Sequence, residues 1–274
     1  MTLTTTTDLN LRSGAGTQYP SLAVLPAGTR LRRLATSGAW CQVETAGGDT
    51  GWCNSAYLRP DAPQLGAIPL PDLYSPAVSL SSTVARHARL PVNLGREAWE
   101  VLEALDVEHS ARYRPADGRT YCNIYATDFA HACGLFLPRT WWLETAITRL
   151  RAGEAVKPVY GETVVELNAN ALHVWLEAWG AAYGWRRAAN PTELQRVVNP
   201  GTIGLITAAR TDPSRSGHIT VCLPERGDRR AAYLPDGSVM GPLQSQAGTV
   251  NRRYQTSVWW TGTQFRAHGF WVRA

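Results

Sequence analysis

Residues 120–134 read TYCNIYATDFAHACG, and the way this stretch folds decides what the second half of the chain can be. Ile124, Ala126 and Phe129 follow Cys122 at helical spacing, and Gly134 is placed to stop the helix. The spacing predicts a helix that starts at or beside Cys122. A thiol is a nucleophile only as thiolate, and a helix start offers both the positive end of the dipole and unpaired backbone N–H groups. Such a setting, with an imidazolium partner, brings a cysteine pKa from about 8.5 down to roughly 3.5–7.5. The same N–H groups, that of Cys122 in particular, are placed to hold a tetrahedral oxyanion, an effect worth roughly 3–4 kcal/mol per donor.

The base is sought among six histidines. His87 falls in a basic loop, His109, His131 and His173 fall in or at the ends of helical segments, and His268 lies near the carboxyl terminus. His218 differs, because it opens a strand directly after the Asp212-Pro-Ser-Arg-Ser-Gly217 loop, where Gly217 permits close approach of another backbone. Around these two residues the periodicity predicts a helix from Arg96 to His109, a Pro115–Gly118 turn, and a helix from about Ala169 to Tyr183 capped by Asn168. Strands are expected at 203–207, 218–222, 231–234, 241–247 and 270–272. Helices first and an antiparallel meander afterwards make an α+β domain. Period-two alternation puts Cys222 on the face of His218 and Thr220.

The chain has 274 residues, enough for two ordinary domains, and 44% hydrophobic residues support a core in each. No apolar run is long enough for a membrane-spanning helix, and MTLTTTTDLN lacks the pattern of a secretory signal. The net charge of +5 favours an anionic partner, but the arginines are scattered and no basic recognition helix is present, which argues against nucleic acid. Five cysteines, with no CxxC pair, make neither a disulfide scaffold nor a zinc site. The absence of HExxH, GxxxxGK[ST] and GxGxxG leaves no metal or cofactor expected. Eleven tryptophans and ten tyrosines supply faces that stack on ring-bearing ligands as well as on core neighbours.

Residues 5–58 read as short strands separated by turns at Gly14/Gly16, Pro26-Ala-Gly28, Thr36-Ser-Gly38 and Gly47-Gly48-Asp49. Within them, residues 9–58 resemble the bacterial SH3 family through Asn10-Leu11-Arg12, Leu25-Pro26-x-Gly28, Trp40-x-x-Val43 and the close from Gly51-Trp52 to Tyr57-Leu58. The resemblance implies a half-open barrel of five to six strands that binds peptidoglycan and tethers a catalytic partner to it. A hairpin centred on Gly47 sets Cys41 opposite Cys53, so that a cross-strand disulfide and a pair of small buried thiols both stay open. The expected domains are an SH3-like barrel at 1–60, a proline-rich linker at 61–76, and a hydrolase domain at 77–274.

The Thr120-Tyr-Cys-Asn123 segment, the Gly217-His218 strand in SGHITVCLPE (216–225) and the Gln246-Ala-Gly-x-x-Asn251 segment in LQSQAGTVN (243–251) resemble the NlpC/P60 and CHAP groups of papain-like peptidoglycan hydrolases. That resemblance implies a cysteine peptidase or amidase in which Cys122 attacks, His218 moves protons, and Gln246, or alternatively Gln244, orients the ring. Those groups place His, Asn, Asp or Glu in the third position. A glutamine carbonyl can accept the Nδ1 proton but lends no negative charge. Tyr121 and Asn123 are expected to shape the site, and Trp141, Trp142, Asn168, Asn170 and Trp175 either line a glycan or stem-peptide groove or belong to the core. The expected activity is cleavage of the amide between muramic acid and L-alanine, or of a stem or cross-bridge peptide bond, by a monomer. A phage endolysin released by a holin, a tail-associated lysin, and a secreted enzyme with its leader removed all fit. The rival readings are a wall-binding protein that has lost activity and a papain-like acyltransferase or effector toxin.

Overall fold

The computed structural model describes residues 2–60, 68 and 97–273. The chain forms two compact units, Met1–Leu65 and Gly66–Ala274. His87, the expected linker at 61–76 apart from Ile68, and the expected start of the second domain lie outside the described residues.

The first unit is one antiparallel sheet. Its strands are β1 (Thr2–Thr5), β2 (Leu9–Arg12), β3 (Ser21–Leu25), β4 (Arg30–Ser37), β5 (Trp40–Thr45), β6 (Thr50–Asn54) and β7 (Leu58–Pro60), in the order β3-β2-β6-β5-β4-β1-β7. There are seven strands rather than five to six, because Thr2–Thr5 pairs with both β4 and β7 and joins the sheet. Alternation turns Leu9 and Leu11 inward onto Leu3, Leu25, Leu31 and Val43. Each leucine so buried contributes roughly 1.5–3 kcal/mol. Gly51 lets β6 approach β2, since a Cβ there would lie 2.7 Å from Leu11 Cγ and 2.8 Å from the Arg12 carbonyl oxygen. Cys41 and Cys53 stand opposite each other as expected, and both are free, buried thiols. Burial first, and the neighbouring Cys41 second, push the Cys53 thiol up to about 11.

In the second unit the described helices are α1 (Ala98–Leu105), α2 (Cys122–Ala132), α3 (Glu144–Arg151), α4 (Ala169–Trp179) and α5 (Pro191–Val198). The strands are β8 (Thr140–Trp142), β9 (Val164–Glu166), β10 (Trp185–Ala188), β11 (Gly204–Arg210), β12 (His218–Cys222), β13 (Ala232–Tyr233), β14 (Val239–Gly241), β15 (Gln244–Gln246), β16 (Arg252–Gln255) and β17 (Phe265–Arg273). The main sheet is antiparallel in the order β10-β17-β11-β12-β15-β16. None of the described helices is long and apolar enough to cross a membrane.

Local chemistry explains most of these boundaries. Helix α1 buries Ala98, Val101, Leu102 and Leu105, and ends where Asp106 turns left-handed at φ 40°. The Asn168 side chain accepts from Ala171 N at 3.0 Å and caps α4, whose last turn tightens into a 3-10 segment at Gly180–Tyr183. Three expectations need correction. The strand expected at 241–247 is two strands, because Pro242 has no N–H to donate to a ladder. The strand expected at 270–272 runs from Phe265 to Arg273 and pairs on both sides, with β10 and β11. The sheet is therefore not a plain meander after the helices: β10 and α5 precede β11, and the last strand returns between β10 and β11.

Alternation along β11 sorts the helices. Thr207 bonds His173 of α4 at 2.8 Å, whereas Ile206 and Ala208 pack with Leu194 and Val198 of α5 and with Cys222. Helix α4 thus covers one face and α5 the other. Helix α2 packs against β12 and ties to β15 through Tyr125 and Ser245, whose hydroxyls lie 2.6 Å apart.

Candidate active site

Cys122 is the first residue of α2, as the spacing predicts, and it is almost wholly buried, at 2% exposure. Tyr121 precedes it at the cap position, where no side chain caps the helix. Asn123 does not cap the helix either: its Nδ2 donates to the Leu167 carbonyl at 3.0 Å and fastens the helix start to the segment leading into α4. His218 is the first residue of β12 and is half-buried.

Cys122 and His218 are electrostatic partners, each shifting the other's titration. Burial alone pushes this thiol up. The hydrogen bond and charge of His218, with the backbone amides of Ile219 and Asn123, outweigh it and hold the pKa below its ordinary value. The other two cysteines of this unit behave differently. Burial raises Cys133 to about 12 and raises Cys222, whose Sγ contacts Gln195 Oε1 at 3.7 Å within the core. For His218 burial lowers the pKa, but the hydrogen bond and charge of Cys122 and the hydrogen bond to Gln246 win and hold it above the usual histidine value. Both shifts favour the ion pair.

Gln246 Oε1 lies 2.7 Å from His218 Nε2, and Gln246 Nε2 donates to the Val250 carbonyl at 3.1 Å. A carbonyl can only accept, so the amide nitrogen is committed to Val250 and the amide oxygen faces the ring. His218 Nε2 therefore carries a proton and donates it, which leaves Nδ1 for the sulfur. The expected contact through Nδ1 is thus corrected: the glutamine holds Nε2. Gln244 is not on the ring. It is fully buried, and its Oε1 accepts from Thr220 Oγ1 at 2.9 Å and from Trp259 Nε1 at 2.8 Å. Trp259 packs against His218 with centroids 4.6 Å apart, covering the ring. Sequence reasoning missed Trp259. Its only signal is a Trp259-Trp260 pair between two strands, which reads equally as core.

Gly217 does what its place suggests. A Cβ there would lie 2.2 Å from the Ala208 carbonyl oxygen and 2.6 Å from Asn170 Oδ1. Asn170 in turn accepts from Arg210 N and donates to the Arg215 carbonyl, each at 2.8 Å. Of the five groove candidates, Trp141, Asn168, Asn170 and Trp175 line one pocket of about 450 Å³. The two indoles are nevertheless core residues that meet edge to face at 5.4 Å. Trp142 does not line the pocket and is buried.

Residues 7–59 match the family model described as bacterial SH3 domain. No curated protein matches the chain. Among solved structures the chain is similar to NlpC2 of Trichomonas vaginalis, at 11% identity and a TM-score of 0.28, over 100% of this chain and 73% of that one. It is also similar to NlpC1 of Trichomonas vaginalis, at 10% identity and a TM-score of 0.29, over 100% and 70%. An NlpC/P60 family protein from Bacillus cereus is similar at 12% identity and a TM-score of 0.25, over 98% and 62%.

Proposed function

We propose that the chain hydrolyses an amide bond of bacterial peptidoglycan through a thioester on Cys122, with the domain at residues 1–60 holding the wall and the domain at 77–274 doing the chemistry. The observation that carries this reading is Cys122 at the start of a helix, electrostatically coupled to a His218 ring that Gln246 holds at 2.7 Å. The matched bacterial SH3 region supports a bacterial wall as the insoluble substrate.

The proposed reaction uses these residues in turn. The Cys122 thiolate adds to the carbonyl carbon, and the charge that moves to oxygen is met by backbone N–H groups at the start of α2, that of Cys122 included. His218 Nδ1–H then gives its proton to the departing amine nitrogen, the C–N bond breaks, and a thioester remains. Water attacks the thioester with Nδ1 as base, the acid is released, and sulfur leaves as thiolate to restore the ion pair. Gln246 keeps the proton on Nε2 throughout, so that Nδ1 is the nitrogen that exchanges.

Purified sacculi test the reading. The protein should release new amino groups without new reducing sugar ends, and Cys122→Ser should lower the rate by roughly 10³-fold or more. Mass spectrometry of the fragments then separates the muramoyl-L-alanine amide from a stem or cross-bridge peptide bond. Reducing ends without amino groups, or full activity in the serine variant, would overturn the proposal.

A further inference from the structure

The pocket beside α4 includes none of Cys122, His218 and Gln246, yet it is tied to them. Asn170 lines it, bonds the Arg210 backbone, and touches the position of Gly217, the residue before His218. Its wall is aromatic and aliphatic, from Trp141, Trp175, Trp179 and Val174. Its charged lining is two guanidinium groups, Arg210 and Arg266, against the single carboxylate of Glu144.

Neither arginine is spent on an ion pair among the described residues. Arg210 Nε donates to the Ser216 carbonyl at 3.2 Å, and its guanidinium lies 5.0 Å from the centre of the Phe265 ring. Arg266 Nε donates to the Arg210 carbonyl at 3.2 Å. A guanidinium has five donors, so each retains most of them for a ligand. One net positive charge suits a monoanion, and the apolar wall suits an aliphatic stem behind it.

We propose that this pocket is a substrate subsite that takes a carboxylate on a short aliphatic chain, paired with Arg210 and Arg266. With peptidoglycan as substrate, an assignment that rests on the function proposed above, the group is a free carboxylate of the stem peptide. A peptide held there would run past Asn170 and Gly217 toward His218.

The test uses the full-length Cys122→Ser protein and two soluble stem tetrapeptides, one with free carboxylates and one with the same carboxylates capped as methylamides. Binding is followed by calorimetry and by tryptophan fluorescence, since three indoles line the pocket. Arg266→Gln should weaken the free peptide at least about tenfold, as expected for loss of a charge-assisted hydrogen bond, and leave the capped one unchanged. Val174→Glu, at a position 51% exposed and tolerant of polarity, should weaken the free peptide as well by placing a second carboxylate in the pocket. Equal affinity for the two peptides, or indifference to both substitutions, would sink the subsite. Arg266-dependent binding by a protein that leaves sacculi intact would remove the hydrolase reading and keep the subsite, whereas hydrolysis indifferent to Arg266 would do the reverse.

Discussion

At Gln246 the amide nitrogen is occupied by the Val250 carbonyl, so the oxygen is the group left for His218. A neutral acceptor fixes the tautomer without adding charge, so the ion pair proposed with Cys122 is sustained by the two groups themselves and by the backbone amides of Ile219 and Asn123. The proposed reaction then needs Cys122 deprotonated and His218 protonated. The thiol sits below its ordinary value and the imidazole above its own, so the rate should rise through an acid limb set by the first and fall through an alkaline limb set by the second. Because the groups interact, both limbs belong to the pair. Gln246→Glu should move the alkaline limb upward by about 1–3 pH units, since a carboxylate beside Nε2 favours the imidazolium. A pH profile of kcat/KM on a soluble muropeptide measures this, and a downward shift would contradict the arrangement. Cys122 and His218 were legible in the sequence because each sits where a regular element begins beside turn residues. The ring nitrogen that Gln246 holds was not legible, because strand alternation places a side chain on a face without orienting its ring. Trp259 was hidden for a related reason: it meets His218 from a short turn 41 residues downstream, with no periodic pattern to announce it.

Elements carry these side chains only as accurately as they are packed, and β12 is placed by a close contact. Its approach to β11 at Gly217 leaves no room for a methyl group, because the nearest atom is the Ala208 carbonyl oxygen rather than a flexible side chain. Gly217→Ala should therefore cost about 1–3 kcal/mol in urea unfolding, as overpacking does, and should lower kcat through displacement of His218. Wild-type stability in this variant would show that the strand start is not fixed there. Legibility at this scale followed capping chemistry. Asn168 announced α4, and the period behind Cys122 announced α2. Helix α5 carries an equally good signal in its own sequence: Asn190 caps Glu193 N at 2.9 Å, Pro191 occupies the first turn, and Glu193 reaches back to Ala189 N at 2.7 Å. The pair β8 and β9, three residues each, is too short for any periodicity to separate from loop.

On the scale of the whole chain, each unit has a core of its own. Leu3, Leu11, Leu31 and Val43 close the first, and Leu194, Ile206, Phe270 and Val272 belong to the second. Separate cores let the chemistry and the anchoring proposed above be tested apart. The chain lacking residues 1–65 should keep its kcat on a soluble muropeptide within a few-fold, while its rate on intact sacculi falls by about 100-fold, the loss expected when a tethered reaction becomes a bimolecular one. Added salt should weaken sacculus binding by the full chain, whose net charge is +5, through screening of its attraction to an anionic wall. Pull-down with sacculi and turnover of soluble substrate, measured side by side, separate the two effects. An equal loss on both substrates would mean that the first unit shapes the reacting site itself, and an equal rate on both would remove the wall from its role.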